Sequence, residues 1–242
     1  MQSFAVLFVA LCAFGISNAL PDYIKPCSRS AKNFDQCCTE RGNDALPHLL
    51  KGDSDLKLPN MLPMKLPKID VDAGPNIKLG FTDVDVYGLD TVKLSTFHVN
   101  FDQSTVFIVV NAQKVTLIGK YAINGKIMVL PISGNGPANI TINNSEFRYT
   151  FSFKKEEKHG KEYAKIDDDN LEWKIERAHF KFDDLFNGNQ QMSDNVNTFL
   201  NENDQEVLKE IGAAVIGVVK FVARTIGASV LGSSPIDELF LA

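Results

Sequence analysis

The longest apolar stretch of the chain lies near its C-terminus and reads NENDQEVLKEIGAAVIGVVKFVARTIGASVLGSSP. Asn203 or Asp204 can cap a helix here, and Glu206 places a negative charge in the first turn, where the helix dipole favours it. Gly232, two serines and Pro235 mark the end of the helix. The pattern predicts one helix of about 28 residues, roughly 42 Å long.

Two interpretations of this helix are open. The segment from Ile211 to Leu231 has about the length of a membrane span. Lys220 and Arg224 count against a span, because charges near the middle of a bilayer are costly. Charged and small residues also share one stripe, and branched apolar residues share the opposite stripe. The stripes are Glu206, Lys209, Ala213, Gly217, Lys220 and Arg224, against Ile211, Val215, Val218, Val222, Ile226 and Val230. The pattern favours an amphipathic helix of a soluble protein, with no integral membrane segment.

The glycine content of this helix needs an explanation. Each glycine inside a helix costs roughly 1 kcal/mol relative to alanine. The glycines in or next to the predicted helix are Gly212, Gly217, Gly227 and Gly232. Small residues either let neighbouring strands approach closely or line a cavity that a ligand fills. The sequence alone leaves both explanations open.

Residues 1–19 have the pattern of a secretory signal peptide. An apolar core runs from about Phe4 to Ile16, and Ser17 and Ala19 are small residues that suit cleavage after Ala19. No basic residue precedes the core, which is unusual for a signal peptide. A membrane anchor is the alternative, but the apolar run is short. We expect a secreted, extracellular protein in which residues 20–242 form a single domain.

Charge and cysteine content limit the classes of partner. The net charge of −5 provides no basic face for nucleic acid. Cys27, Cys37 and Cys38 remain after removal of the signal peptide, which predicts one disulfide and one free thiol. Adjacent cysteines seldom bond each other because the geometry is strained, so Cys27 pairs with Cys37 or with Cys38. This spacing matches no common zinc pattern, and we expect no metal site.

The centre of the chain is rich in predicted strands. Between Ile69 and Phe182 apolar and polar residues alternate with a period of two, as in half-buried antiparallel strands. The apolar faces are Val115, Leu117, Tyr121 and Ile123, then Phe147, Tyr149, Phe151 and Phe153, then Leu171, Trp173 and Ile175. Turns at Asn124-Gly125, SGNGP and EEKHGKE predict about six to eight strands. The apolar register slips by one near Asn143–Ser145, which predicts a bulge.

The order of the predicted elements suggests an α+β fold. Residues from about Ser28 to Lys51 predict a first helix, and a proline-rich stretch after it predicts an extended edge segment. The prolines are Pro59, Pro63, Pro67 and Pro75. A sheet-rich body followed by one very long helix predicts a strongly curved antiparallel sheet wrapped around that helix. Asn139 and Asn143 head two glycosylation sequons on one face of a predicted strand.

Common catalytic signatures are missing from the sequence, which contains no HExxH, no GxSxG, no P-loop and no GxGxxG opening a helix. Asp167–Asp169 could bind calcium, but a charged loop between strands is the simpler interpretation. We therefore expect no enzyme and no cofactor, although a nucleophile and base brought together only by the fold would escape this reasoning.

Six segments, in order, resemble the insect takeout and juvenile hormone-binding protein family. They are CSRSAKNFDQC, LPHLLKGDSDLKLPNMLPMKLPKI, GKYAINGKIMVLPISGNGPANI, GKEYAKI, FDDLFNGNQQMSDNVNTFLNEN and PIDELF. The resemblance implies a highly curved sheet around the long C-terminal helix, as in TULIP proteins, with an apolar tunnel between them. It also implies a Cys27–Cys37 disulfide. Two positions depart from the family pattern: Leu62 precedes Pro63 where Asp is frequent, and Asp204 stands where tryptophan is usual.

The resemblance also implies a ligand site. We expect the tunnel wall to consist of helix valines and an isoleucine facing strand residues of one parity. These are Val215, Val218, Val219, Val222 and Ile226, with Leu117, Tyr121, Ile123, Tyr149, Phe151 and Trp173. Tyr121 or Tyr149 could donate one hydrogen bond to an ester or ketone.

The implied function is that of a carrier of juvenile hormone, another terpenoid or a fatty-acid-like lipid. An interaction module that holds a structural lipid and signals to a receptor or membrane partner is the alternative, and an esterase-like enzyme acting on such ligands is a third.

Overall fold

The structure is a computed structural model that describes residues 20–71, 77–128 and 130–242. The expected signal peptide at 1–19 lies outside these residues. In chain order the elements are β1 (Cys27–Ser28), α1 (Phe34–Lys51), β2 (Met64–Val71), β3 (Ile77–Tyr87), β4 (Lys93–Asn100), β5 (Thr105–Ile127), β6 (Leu130–Lys158), β7 (Lys161–Phe182), α2 (Gln190–Glu202), α3 (Asp204–Ser233), α4 (Ile236–Leu239) and β8 (Phe240–Leu241).

The main sheet is antiparallel and has the order β2-β3-β5-β6-β7, with β4 beside the first part of β5. Helix α3 packs along β7 at one edge of this sheet and also contacts β2 at the other edge. The sheet is therefore curved, and α3 lies across its concave side between the two edges. This arrangement confirms the predicted α+β fold class.

Three strands are much longer than the sequence predicted. β5, β6 and β7 contain 23, 29 and 22 residues. Asn124-Gly125 and SGNGP, which we expected to be turns, lie inside β5 and β6. Asn124-Gly125 pairs with Ile132–Ser133, and SGNGP pairs with residues 120–124. A side chain on Gly134 would come within 2.9 Å of the Leu185 Cα, so this glycine permits a close chain contact rather than a turn. The turn expected in EEKHGKE is confirmed between β6 and β7.

The expected one-residue shift in the alternation of inward and outward residues occurs. It is found in β5, β6 and β7 together, at positions that lie side by side in the sheet. Inward-facing residues are there three positions apart rather than two, in the pairs Ala112 and Val115, Ile142 and Ser145, and Ile175 and Ala178. Pairing between the strands keeps the same register on both sides of these positions. The predicted bulge in the pairing at Asn143–Ser145 is therefore wrong. A register shift between β6 and β7 lies instead between Phe151 and Phe153.

The long C-terminal helix is confirmed, with 30 residues from Asp204 to Ser233. Its start differs from the prediction, because no side chain caps it. Asn203 donates back to the Phe199 carbonyl, and the Asp204 carboxylate accepts a hydrogen bond from the Ala178 amide of β7 at 2.8 Å. An 18-residue window of α3 has a mean hydropathy of 1.7, so by length and composition α3 could span a membrane.

Helix α2 was not predicted, although its apolar residues Met192, Val196 and Leu200 recur at steps of four. Its asparagines protect the outer edge of β7. Asn197 and Asn201 each accept a hydrogen bond from a β7 amide and donate one to a β7 carbonyl, at Phe182 and Phe180 respectively. Asp204 continues this row at Ala178. Backbone amides and carbonyls along the outer edge of β7 are thus hydrogen-bonded by side chains of α2 and α3, which protects this edge from pairing with another strand.

The N-terminal region closes one end of the molecule. Helix α1 begins at Phe34, later than the predicted Ser28, because Cys27 and Ser28 pair with β8 and so tie the two ends of the described chain together. Cys27 and Cys37 form the disulfide that the resemblance implied, and Cys38 is free and buried. Burial raises the pKa of the Cys38 thiol to about 12, with a further contribution from Asp35.

Candidate functional site

A cavity of about 280 Å³ lies between α3 and the concave face of the sheet. It is partly open, and side chains of α1, β2, β3, β4, β5, β6, β7 and α3 line it. Its volume is close to the lower end of the range for small-molecule sites, about 300 Å³. A second depression, around the start of β3, is wider but more open and more polar.

Seven of the eleven expected wall residues line this cavity. They are Val215, Val218, Val219, Val222 and Ile226 of α3, Leu117 of β5 and Tyr149 of β6. Further wall residues were not predicted, notably Leu46 and Leu50 of α1 and Val84 and Val86 of β3. The period-two pattern of β3 could have identified the two valines. The contribution of α1 depends on how that helix docks, which its own sequence does not reveal.

The other four expected residues lie outside the cavity wall. Ile123 and Phe151 are buried in the hydrophobic core on either side of it. Trp173 packs beside α3, where a side chain on Gly212 would come 3.2 Å from its ring. Tyr121 packs on Phe182 and donates its hydroxyl to the Asp183 carbonyl at 2.6 Å. These residues point to the inner side of the sheet, as the alternation predicted. Their position along the strands decides whether they line the cavity or pack in the core on either side of it.

Neither predicted tyrosine can donate a hydrogen bond to a ligand without breaking one in the protein. Burial, with the nearby charges of Asp184 and Asp183, raises the pKa of Tyr121 to about 12. The Tyr149 hydroxyl donates to the Asp169 carboxylate at 2.7 Å. Burial and this bond raise the pKa of Tyr149, so its proton stays in place. The expected tyrosine contact to an ester or ketone is therefore not available in this arrangement.

The cavity wall is almost free of polar groups. Among the described residues that line it, only Ser145 and Tyr149 have polar side-chain atoms. The Ser145 hydroxyl donates to the Ala112 carbonyl at 3.3 Å, and the Tyr149 hydroxyl is committed to Asp169. A ligand carboxylate placed among these side chains would lose its hydration without gaining a partner, which is strongly unfavourable. The wall therefore suits a hydrocarbon chain or ring system.

The glycines of α3 do not line the cavity. Gly212 and Gly227 face β7, where an added side chain would lie 3.2 Å from Trp173 and from Ile166 respectively. These two positions support the explanation by close approach of a strand. Gly217 and Gly232 have open space around them, and nothing in the structure explains glycine there. The cavity-facing side of α3 consists instead of valine, alanine, isoleucine and leucine.

A polar cluster beside the cavity holds α3 on β7, and sequence reasoning missed it. Asp169 lies within β7 rather than in the charged loop that we expected. Its carboxylate lies 3.0 Å from the Lys220 Nζ and 3.2 Å from an Arg224 nitrogen, and its side chain is only 8% exposed. Burial by itself raises the pKa of Asp169, but the hydrogen bonds from Tyr149 and Lys220 and the two positive charges together hold that pKa below its ordinary value.

Within residues 20–71, 77–128 and 130–242, no group of three histidine, cysteine or acidic side chains is arranged to hold a metal ion. His98 contacts Asp35 at 2.7 Å on the outer surface, and neither residue lines the cavity. The polar contacts beside the cavity join elements of the protein to one another.

Three comparisons with known proteins agree with this architecture. This chain is 20% identical to the circadian clock-controlled protein daywake of Drosophila melanogaster over 240 residues, which are 95% of this chain and 91% of that protein. The daywake protein of Drosophila yakuba is also 20% identical, over 237 residues. The crystal structure of Epiphyas postvittana takeout 1 superposes with a TM-score of 0.80 at 23% identity, covering 90% of this chain and all of that one.

The family model described as haemolymph juvenile hormone binding protein matches residues 5–241, nearly the whole sequence. The curved sheet and the long C-terminal helix are those of the takeout structure. The chain therefore belongs to the haemolymph juvenile hormone binding protein family.

Proposed function

We propose that this protein is a secreted carrier that holds a small hydrophobic ligand in the cavity beneath α3. Juvenile hormone, another terpenoid and a fatty-acid-like lipid are the ligand classes we consider. The observation that carries the proposal is the wall itself, in which the two hydroxyl groups of Ser145 and Tyr149 are already hydrogen-bonded within the protein. The wall residues we assign to the ligand are Val215, Val218, Val219, Val222, Ile226, Leu117 and Tyr149.

The energy available from such a wall is sufficient for a carrier. Burial of about a dozen carbons contributes roughly 10 kcal/mol at about 0.8 kcal/mol per CH₂. Loss of ligand freedom on binding costs several kcal/mol, which leaves affinities from micromolar to nanomolar. Because the described wall residues offer no free donor, a ligand gains affinity from its hydrocarbon part, and a polar group is tolerated best at an end that reaches solvent.

Secretion is part of the proposal and rests on the sequence pattern of residues 1–19 and on membership of a family named for haemolymph proteins. On this view α3 is a helix of a soluble protein and not a membrane span. Lys220 and Arg224 in its middle bind Asp169, and its apolar face lines the cavity. The sequon at Asn139 is exposed on the outer face of β6, and we propose that it carries a glycan.

The test is to identify what the secreted protein binds and whether it exchanges. Native mass spectrometry of gently purified protein, followed by extraction and analysis of any bound lipid, is expected to show one apolar molecule per chain. Added terpenoid or fatty-acid-like ligand is expected to displace it. A bound lipid that never exchanges would favour the interaction module instead, and a protein that binds no apolar molecule would contradict the carrier proposal.

A substitution in the wall ties binding to this cavity. Val218 lies on the cavity side of α3, and Ala213 is exposed on the same helix. Val218→Trp is expected to weaken binding at least about tenfold, or 1.4 kcal/mol, because the indole occupies ligand space. Ala213→Trp is the matched control and should bind as wild type. Equal affinity of both variants would place the ligand elsewhere, and circular dichroism checks that each variant folds.

A further inference from the structure

The two flanks of α3 are held in place very differently. On the β7 flank, Lys220 donates to the Asp169 carbonyl at 2.8 Å, and Arg224 donates to the Ile166 carbonyl at 3.2 Å. Both side chains also pair with the Asp169 carboxylate. Gly212 brings the helix against Trp173 on the same side. This flank is therefore closed by partly buried polar contacts around the buried Asp169 carboxylate and by close packing.

The opposite flank faces β2, the edge strand that pairs only with β3. Among the described residues, no hydrogen bond or ion pair joins β2 to α3. Ile69 and Val71 of β2 and Ala214 and Val218 of α3 all line the cavity. The space between these two elements, which we call the β2–α3 seam, thus has apolar cavity residues on both sides and no polar contact across it.

The position of Ala214 on α3 places it at this seam. At 3.6 residues per turn, Ala214 lies about 160° around the helix from Gly212, which marks the β7 flank. Phe221 follows seven positions after Ala214, so it lies two turns further along nearly the same line of the helix. Phe221 is 67% exposed, the most exposed large apolar side chain among the described residues. An apolar side chain therefore stands on the outer side of the seam.

Both ends of the seam are closed. Near the start of α3, the Glu210 carboxylate accepts a hydrogen bond from the Met128 amide at 2.9 Å, which fastens the end of the β5–β6 hairpin to the helix. Toward the other end, Val222 and Ile226 pack against the cluster that contains Leu56 and Met61. The stretch of α3 between these closures runs from Ile211 to Phe221, roughly 15 Å at 1.5 Å per residue.

We propose that ligand enters and leaves the cavity through the β2–α3 seam, by a small separation of β2 from the middle of α3 while α3 stays fixed on β7. This inference rests on the proposed carrier function. Among the described residues, separation there breaks apolar contacts alone, whereas opening on the β7 flank would break the ion pairs of Asp169 with Lys220 and Arg224 and their hydrogen bonds to β7 carbonyls. The low-energy path for opening is the flank without polar contacts.

The test measures association and dissociation rates separately, because a passage residue changes both rates while a wall residue changes affinity. N-phenyl-1-naphthylamine, an apolar fluorophore, serves as the probe in stopped-flow mixing with the full secreted chain. Ala214 lines the cavity as well as the seam, so the direction of the change in the dissociation rate is the discriminating measurement. Ala214→Trp is expected to lower both rates at least about fivefold, because the indole raises the barrier to passage, whereas a residue that acts only through the wall speeds dissociation. Ala213→Trp, one position away and exposed, should leave both rates unchanged.

Ala223→Trp provides the second comparison, since Ala223 lines the cavity but packs with the core cluster that includes residues of β7. It should weaken Kd mainly through faster dissociation. If Ala214→Trp behaves like Ala223→Trp, or leaves both rates unchanged, the seam is not the passage.

A second variant keeps the test decisive if Ala214→Trp does not fold. Glu210→Ala removes the closure at Met128 and should raise both rates by about threefold or more with little change in Kd, because Glu210 does not line the cavity. Unchanged rates in Glu210→Ala would overturn the passage. A wild-type protein that binds neither the probe nor any extracted lipid would overturn the carrier function itself, which separates the two failures.

Discussion

The Asp169 cluster offers the sharpest test of how α3 is held over the cavity. Asp169→Asn removes the negative charge that Lys220 and Arg224 approach at 3.0 and 3.2 Å and leaves the shape of the side chain nearly unchanged. Two unit charges about 4 Å apart attract by about 4 kcal/mol at an effective dielectric constant of about 20, and part of this is offset by desolvation. We expect the variant to lose about 2–4 kcal/mol of unfolding free energy at pH 7.

The pH dependence identifies the charge as the cause. The pKa of Asp169 is lowered by folding, so its contribution to stability is present above the unfolded value of about 3.9 and is lost as pH falls through the folded value. The difference in unfolding free energy between wild type and Asp169→Asn should therefore be full at pH 7 and shrink below about pH 4.

Urea unfolding followed by the fluorescence of Trp173, the single tryptophan of the chain, measures this difference. Trp173 lies beside Gly212 of α3, so its emission reports directly on the contact in question. Tyr149→Phe is the control, because it removes one neutral donor and keeps the ion pairs. It should cost about 1.5 kcal/mol, the lower end of the range for a hydrogen bond to a charged group, because both ion pairs remain. A difference that stays constant from pH 7 to pH 3, or one below about 0.5 kcal/mol at pH 7, would refute the assigned role of the charge.

Three further predictions concern other parts of the molecule. Asn201→Ala leaves one amide and one carbonyl of the β7 edge without partners, and it should lower the unfolding free energy in urea by about 2 kcal/mol. Asn195→Ala, at an exposed position of α2, is the control and should lower it by less than about 0.5 kcal/mol. Equal losses would contradict the edge role of α2. The Cys38 thiol, whose pKa burial raises to about 12, should not react with a thiol reagent at pH 8 until the protein unfolds, and rapid reaction of the folded protein would be inconsistent with its burial. Asn139→Gln should abolish the mass shift that glycosidase treatment causes in the secreted protein, because Asn139 is exposed. Asn143→Gln should leave that mass shift in place, because Asn143 is half-buried. A wild-type protein without the mass shift would show that neither sequon is glycosylated.

Much of the fold can be predicted from the sequence, because it depends on local patterns of apolar and polar residues. The helical period of the C-terminal segment, the alternation of inward and outward residues in the strands and the clustered prolines before β2 each reflect which side of an element is buried. These patterns predicted α3, the apolar faces of β5, β6 and β7 and the extended edge strand, and Cys37 was the disulfide partner that the family resemblance implied.

The ends of the strands could not be predicted as well from the sequence. A glycine-rich segment such as SGNGP has the composition of a turn, and only its pairing partner on the neighbouring strand makes it part of β6. The concerted slip of parity in three strands likewise needs all three to be aligned, because one strand by itself can express such a slip only as a bulge.

The details of the cavity were decided by tertiary structure alone. Tyr121 and Tyr149 share the inward parity that the sequence shows, yet only Tyr149 reaches the cavity, and its hydroxyl is held by Asp169. Asp169 itself looked like one charge in an acidic run, because its partners Lys220 and Arg224 lie about fifty residues away in the chain. Periodicity states which side of an element is buried, whereas the partner on that side is set by how the sheet curves and where α3 docks, and these depend on contacts between residues far apart in sequence.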